Sequence, residues 1–188
     1  NTLEKEKLSN NIFFFDWADT LLCTSYLLPN GDLGDIEINK KDKEIMNTLD
    51  ELIYRLLSKT VEKGYVFIVT NGASGWVESS SKKFYPRTSE ILPKVKIISA
   101  RGLYEKKLPG DMRQWKIRAF KAAIDSIDIK RTIPTNIICF GDSNIEIDAS
   151  FYVKENFANA YLKTVKFKEN PSHNDLEKEI KIIISQLD

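Results

Sequence analysis

The sequence predicts an α/β fold, a three-layer sandwich in which a mainly parallel central sheet lies between helices. Three observations carry that prediction. Short apolar runs such as Ile12-Phe13-Phe14-Phe15 and Val66-Phe67-Ile68-Val69 have the composition of strands buried on both faces of a parallel sheet. They alternate along the chain with segments of helical periodicity, the pattern of strands joined by helical crossovers. Several end on polar residues, and open parallel sheets place their ligand sites at the carboxyl ends of the strands.

A chain of 188 residues can bury a full core, and one domain over residues 1–188 is expected. The 28 basic and 27 acidic residues nearly cancel and are spread along the chain, which removes the electrostatic case for nucleic acid or an anionic membrane. No apolar run approaches the roughly 18 residues of a membrane span, and no signal peptide is visible. The chain starts at Asn1 without methionine, which leaves a removed upstream segment open; the cytoplasm is the expected location. Cys23 and Cys139 are the only cysteines, so neither a disulfide framework nor a zinc site is expected, and a reducing compartment follows. Cys139 lies inside an apolar run, where a buried thiol is the default. His173 is the only histidine, which removes nearly all Ser-His and Cys-His chemistry. Its place beside Pro171 and Ser172, at a helix start, implies a surface role.

Residues 1–11 are polar and read as frayed or partly helical. A strand follows, then residues 24–38, where Asn30-Gly31 signals a tight turn and a small hairpin flap over about 22–38. Residues 40–63 form the clearest helix: Ile45, Leu49, Leu52, Ile53, Leu56 and Leu57 share a face, and Gly64 stops it. Tyr65-Val66-Phe67-Ile68-Val69 is the second strand, ending on Thr70-Asn71-Gly72. A short helix over residues 76–84 is broken at Pro86. Lys96-Ile97-Ile98-Ser99 is a third strand. After a turn at Pro109-Gly110, Asp111 and Gln114 cap a helix to about Ser126. Asn136-Ile137-Ile138-Cys139-Phe140 is a fourth strand, ending on Gly141-Asp142-Ser143. A short helix from Glu146, a strand near residues 161–167 and a helix with Leu176, Ile180, Ile184 and Leu187 on one face complete the chain.

Asp16, Thr70-Asn71 and Asp142 with Glu146 thus stand at strand ends, and Lys116 lies in the first turns of the helix before the last of these. In a parallel sheet such ends share one edge, so the groups can converge. Two carboxylates there suit Mg²⁺, a hard cation that takes few protein oxygens and keeps waters or phosphate oxygens. A hydroxyl, an amide and an ammonium suit a dianionic phosphoryl group, and an Asp carboxylate can itself attack phosphorus.

This order of motifs resembles the haloacid dehalogenase (HAD) superfamily of phosphotransferases, and the resemblance covers most of the chain, within a HAD/Rossmann-like fold. Asp16-Trp17-Ala18-Asp19-Thr20 is similar to the family's first motif, Asp-x-Asp-x-Thr. Val69-Thr70-Asn71-Gly72 resembles the second. Lys116 resembles the helix-borne lysine of the third, with Lys106 and Lys107 as alternatives. Gly141-Asp142-Ser143-Asn144-Ile145-Glu146 resembles the fourth, Gly-Asp-x-x-x-Asp/Glu. The resemblance implies Asp16 as nucleophile and Mg²⁺ ligand and Asp142 as second carboxylate ligand. It implies Glu146 as a ligand through water or an orienting group, or, by the residues alone, a helix N-terminal acid. Thr70, Asn71 and Lys116 would hold the phosphoryl oxygens.

One position departs from the pattern. Where the family carries its general acid and base, this chain has Ala18, which still offers a backbone carbonyl to Mg²⁺. Adjacent Asp19 is the obvious substitute, but neighbouring residues leaving a strand point in different directions. The change is read either as natural, making a pseudophosphatase, or as engineered. The intervals 23–64 and 73–115 leave little or no room for the separate cap of many family members. An open site suits a large phosphorylated substrate such as a phosphoprotein. Trp17 and Trp76 are read as an aromatic rim or as core. The expectation is a Mg²⁺-dependent phosphomonoester hydrolase using an aspartyl phosphate on Asp16, slowed by Ala18; the alternative is an inactive phosphate- or partner-binding module.

Overall fold

The structure, a computed structural model, describes residues 10–30 and 39–187. Strands β1 (Asn10–Phe15), β2 (Tyr65–Thr70), β3 (Lys96–Ser99), β4 (Thr135–Gly141) and β5 (Ala160–Lys166) form one sheet in the order β3-β2-β1-β4-β5. Every pairing is parallel, so the sheet is parallel throughout, not mainly so. The helices are α1 (Thr24–Leu27), α2 (Lys40–Lys63), α3 (Trp76–Phe84), α4 (Pro86–Ile91), α5 (Ala100–Tyr104), α6 (Met112–Asp125), α7 (Asn144–Lys154) and α8 (His173–Gln186). They cover both faces of the sheet, which makes the three-layer, Rossmann-like sandwich that the alternation of elements predicts.

Strand alternation divides the apolar side chains between two cores. Phe13, Phe15, Ile68 and Phe140 face α2, α3, α4 and α8, while Ile12, Phe14, Phe67 and Cys139 face α6 and α7. Phe14 stacks on Phe120 of α6 with centroids 4.2 Å apart. Burial of each such ring contributes on the order of 1.5–3 kcal/mol. β1 sits at the centre, with Phe15 opposite Ile68 on one side and Phe140 on the other. The chain fills one half of the sheet before crossing to the other, so the switch point lies between β1 and β4, where such sheets bind ligands.

Several local expectations need correction. Residues 1–9, and residues 31–38 of the expected flap, lie outside the described residues. Asn10 and Asn11 are not frayed but open β1, with the Asn10 amide on the Lys130 carbonyl and the Thr135 hydroxyl. Thr24–Leu27, expected as one arm of a hairpin, is the single helical turn α1. Pro86 does not simply break a helix; it starts α4, since its missing N–H falls where a helix has no internal acceptor. α5 was not foreseen, and α7 begins at Asn144, capped by Ser143. Gly64 is extended (φ −179°), and its role is a close approach: a Cβ there would lie 2.1 Å from the Asn11 carbonyl oxygen.

Candidate functional site

β1 delivers Asp16 to the sheet edge. The Asp16 N–H donates to the Phe140 carbonyl (2.9 Å), extending the ladder by one residue and aiming the next turn outward. Its carboxylate, 6% exposed, lies against Lys116. Asp111 caps α6 by accepting the Gln114 N–H, and the Trp115 indole donates to the Leu108 carbonyl (2.6 Å). These bonds fix the turn that carries Lys116 inward. The ammonium is fully buried and spends its three protons on Asp16 Oδ1 (2.6 Å), the Val69 carbonyl (2.6 Å) and Glu146 Oε1 (2.9 Å). Lys116, and not Lys106 or Lys107, is therefore the lysine that meets Asp16. With these partners Lys116 holds Asp16 in a fixed direction.

β4 delivers Asp142, and α7 delivers Glu146. Glu146 folds back over the strand end; a Cβ on Gly141 would lie 2.6 Å from its Cγ, so glycine is what leaves room. Its second oxygen accepts the Ser143 N–H (3.2 Å) and the Ser143 hydroxyl, while Ser143 caps α7. Both carboxylate oxygens of Glu146 are occupied by protein donors. Of the readings open for Glu146, the structure displays two: an orienting group for Lys116 and the helix N-terminal acid of a capping box. The Asp142 carboxylate, half-buried, makes no ion pair among the described residues. Its backbone carbonyl accepts from Lys166 Nζ (2.8 Å).

The end of β2 is a tight turn in which the buried Thr70 hydroxyl accepts the Gly72 N–H (2.9 Å) and keeps its own proton. Asn71 donates to the Met112 carbonyl (3.3 Å), and its buried Oδ1 has no hydrogen-bond partner among the described residues. Ser99 at the end of β3 braces this turn by donating to the Gly72 carbonyl (2.7 Å). Ser99 had no role in the sequence reading, since a serine at a strand end carries no signal of what it faces.

After Asp16 the chain turns tightly. The Trp17 carbonyl accepts from Leu21 (3.0 Å) and Leu22 (2.9 Å), whereas the Ala18 carbonyl accepts no hydrogen bond among the described residues. Asp19 takes a left-handed conformation (φ 55°) and spends its carboxylate on the Ser25 N–H (2.8 Å) and hydroxyl. It is thereby committed to holding α1. Trp17 is fully buried, donates to the Ser80 hydroxyl (2.9 Å) and meets Tyr85 edge-on, so it is core and not rim. Trp76 is half-buried at the start of α3, against Gly72. His173 is half-buried beside the Tyr26 ring (5.2 Å), less exposed than expected. Both cysteines are free and buried, and burial pushes the Cys23 thiol up to about 12.

Charge is unbalanced at this edge. Burial pushes the Asp16 carboxyl up to about 6, against the pull of Lys116 and with the help of Glu146. Burial also lifts Asp142 to about 7, and the charges of Asp16, Glu146 and Asp19 add to the rise. Burial works against the Lys116 charge, but Asp16 and Glu146 outweigh it and raise it to about 12. For Glu146, too, burial opposes ionisation, yet Lys116 and Ser143 hold it below the usual range. One ammonium faces a cluster of carboxylates, and Asp142 has none of its own.

That surplus suits a further cation. Asp16 and Asp142 offer hard oxygens from adjacent strands, and Ala18 offers a free carbonyl. No group of three or more His, Cys, Asp or Glu side chains forms a ready-made metal cage among the described residues. Asp16, Asp142 and the Ala18 carbonyl are the groups that could hold a cation keeping several waters or substrate oxygens. Compared with protein-family models, with curated proteins and with solved structures, the chain matches none. Among the described residues no helix is long and apolar enough to cross a membrane.

Proposed function

We propose that the chain is a HAD-type phosphatase scaffold that binds Mg²⁺ and a phosphorylated substrate and transfers the phosphoryl group to Asp16. The observation that carries this reading is the buried Lys116 ammonium bound to Asp16, beside an Asp142 carboxyl that burial and its neighbours lift to about 7. Such an arrangement holds one carboxylate in a fixed direction and leaves a second in need of positive charge.

Asp16 attacks phosphorus with the oxygen that Lys116 does not hold. A bond forms from that oxygen to phosphorus as the bond to the leaving oxygen breaks, and the leaving oxygen then needs a proton. Thr70 donates its free hydroxyl proton to a phosphoryl oxygen, and the second amide proton of Asn71 does the same. In the next step water attacks phosphorus, the bond from Asp16 to phosphorus breaks, the attacking water gives up a proton to solvent, and phosphate and the Asp16 carboxylate are released. Asp16, Asp142 and the Ala18 carbonyl would hold Mg²⁺, which would supply charge neutralisation where carboxylate and phosphoryl dianion meet. Neither proton transfer has a side chain at position 18 to perform it, and Asp19 is occupied by Ser25. General acid–base help is worth roughly 10²–10⁴ in rate, so substrates with good leaving groups are favoured.

The same absence supports a second reading, an inactive module that binds phosphate or a phosphorylated partner. Mg²⁺-dependent hydrolysis of p-nitrophenyl phosphate separates the two. On the enzyme reading Ala18→Asp raises the rate by about 10²–10⁴ and Asp16→Asn abolishes it. If Ala18→Asp gains nothing while phosphate still competes for the site, the binding module is the better account.

A further inference from the structure

A second opening lies on the face of the sheet that α2 and α8 cover. Strand register sets three rows of side chains across it: Asn11 beside Asn136, Phe13 beside Ile138 and Lys163, and Phe15 beside Phe140 and Val165. A parallel sheet flanked by helices normally buries such rows. Ile138 belongs to β4, with a strand on either side, yet it is only half-buried, as is Val165. Between them and the last turns of α8 lies a cavity of about 470 Å³, walled by Ile182, Ile183 and Leu187. Ile182 is 62% exposed. Neither Asp16, Lys116, Asp142 nor Glu146 lines it, so it is separate from the phosphoryl site.

Two lysines give the cavity its charge. Lys63 ends α2, where its carbonyl accepts from the Asn11 amide (3.0 Å), and the Asn136 amide donates to Asn11 in turn (2.9 Å). Lys163 stands in the row of Phe13 and Ile138, on the side of β5 that faces the apolar core. Both lysines line the cavity, both are exposed, and neither makes an ion pair among the described residues. No Asp or Glu is among the lining residues.

We propose that this cavity binds a free medium-chain carboxylate, its aliphatic body under α8 and its head group at Lys63 and Lys163. The walls select the body, because Ile138, Val165, Ile182 and Leu187 present apolar surface that the fold leaves partly wet. Charge complementarity selects the head. Two ammonium groups with no carboxylate of their own stand at the polar end of the cavity, beside Asn11 and Asn136, and a carboxylate offers one oxygen to each. Size selects the length: the volume is that of a small-ligand pocket, and the rows from Asn11 to Phe15 span about 13 Å of strand. A cationic amphiphile meets the wrong charge. A second copy of the chain is disfavoured because a two-fold contact would set its Lys63 and Lys163 against the same lysines.

Equilibrium dialysis of radiolabelled decanoate against the chain, below the concentration at which decanoate forms micelles, reads this site without calling on Asp16. The proposal expects saturable binding of one decanoate per chain. Lys63→Glu with Lys163→Glu, both at exposed positions that the fold tolerates, should weaken it about ten-fold. Ile182→Glu, at the exposed wall, should weaken it by a similar factor. Unsaturable uptake, or equal affinity in the lysine variant and the original chain, overturns the proposal. Equally tight binding of decyltrimethylammonium overturns it as well, since the lysines would then select no head group. Sedimentation of the chain supplies the remaining outcome: a dimer that Ile182→Glu dissociates would make a second copy the occupant, and the carboxylate site would be wrong.

Discussion

Lys116 shows how one buried charge organises several residues at once. Removing a partner from a buried ion pair leaves an uncompensated charge and typically costs about 3–5 kcal/mol. Lys116→Met should therefore destabilise the chain strongly at pH 8, where Asp16 and Glu146 are both ionised. Asp16 already has a raised folded-state value of about 6, so between its ordinary value and about 6 the folded chain binds more protons than the unfolded one. In that window stability falls as pH rises. Without Lys116 both carboxyls are pushed further up, so the stability deficit of Lys116→Met should shrink as pH falls from 8 toward 5. Urea denaturation at the two pH values checks this, and an equal deficit at both would contradict the electrostatic account. The residue scale also shows where sequence reasoning stopped. Asp16, Thr70, Lys116 and Asp142 could be placed from the sequence because each ends or follows a strand or lies in the first turns of a helix. That Glu146 has no oxygen left over, and that Asp19 belongs to Ser25, depends on side-chain directions that spacing does not specify.

At the scale of elements, the long helix and the strands follow from periodicity, while the short helices follow from partners far along the chain. α4 is the clearest case. Its N-cap Tyr85 provides no side-chain cap, and the Arg87 and Thr88 N–H groups instead donate to Asp50 of α2 (2.8 and 2.7 Å). Asp50 is 4% exposed, and Thr88 returns a bond to its backbone carbonyl (3.1 Å). No local pattern around Pro86 announces an acceptor on another helix, so a proline that starts a helix was read as one that ends it. Asp50→Ala should cost about 1–2 kcal/mol, the usual worth of a capping carboxylate, and Asp50→Asn less, because one acceptor oxygen remains. Thermal unfolding of the two variants decides it; indistinguishable variants would show that α4 is held by packing alone. The flap illustrates the same limit, since Asn30-Gly31 signals a turn but Thr24–Leu27 forms a helical turn through its tie to Asp19.

For the whole molecule, the sheet order puts β1 in the centre and the switch point beside it, so the carboxylates of β1 and β4 must share an edge whatever the loops do. The shared edge was readable from the alternation of apolar runs with helical segments; the strand order was not. Nor was the charge balance, because it depends on how deeply the groups are buried. The central claim is that Asp16 accepts a phosphoryl group while position 18 withholds the proton transfers around it. Acetyl phosphate tests this directly, since its leaving group needs no protonation and the missing base should slow only hydrolysis of the product. Intact-mass and peptide-mapping spectrometry after mixing with acetyl phosphate and Mg²⁺ should find a phosphoryl adduct on Asp16. The adduct should be absent from Asp16→Asn, and it should discharge faster in Ala18→Asp. No Mg²⁺-dependent adduct, or one that persists in Asp16→Asn, would contradict the account.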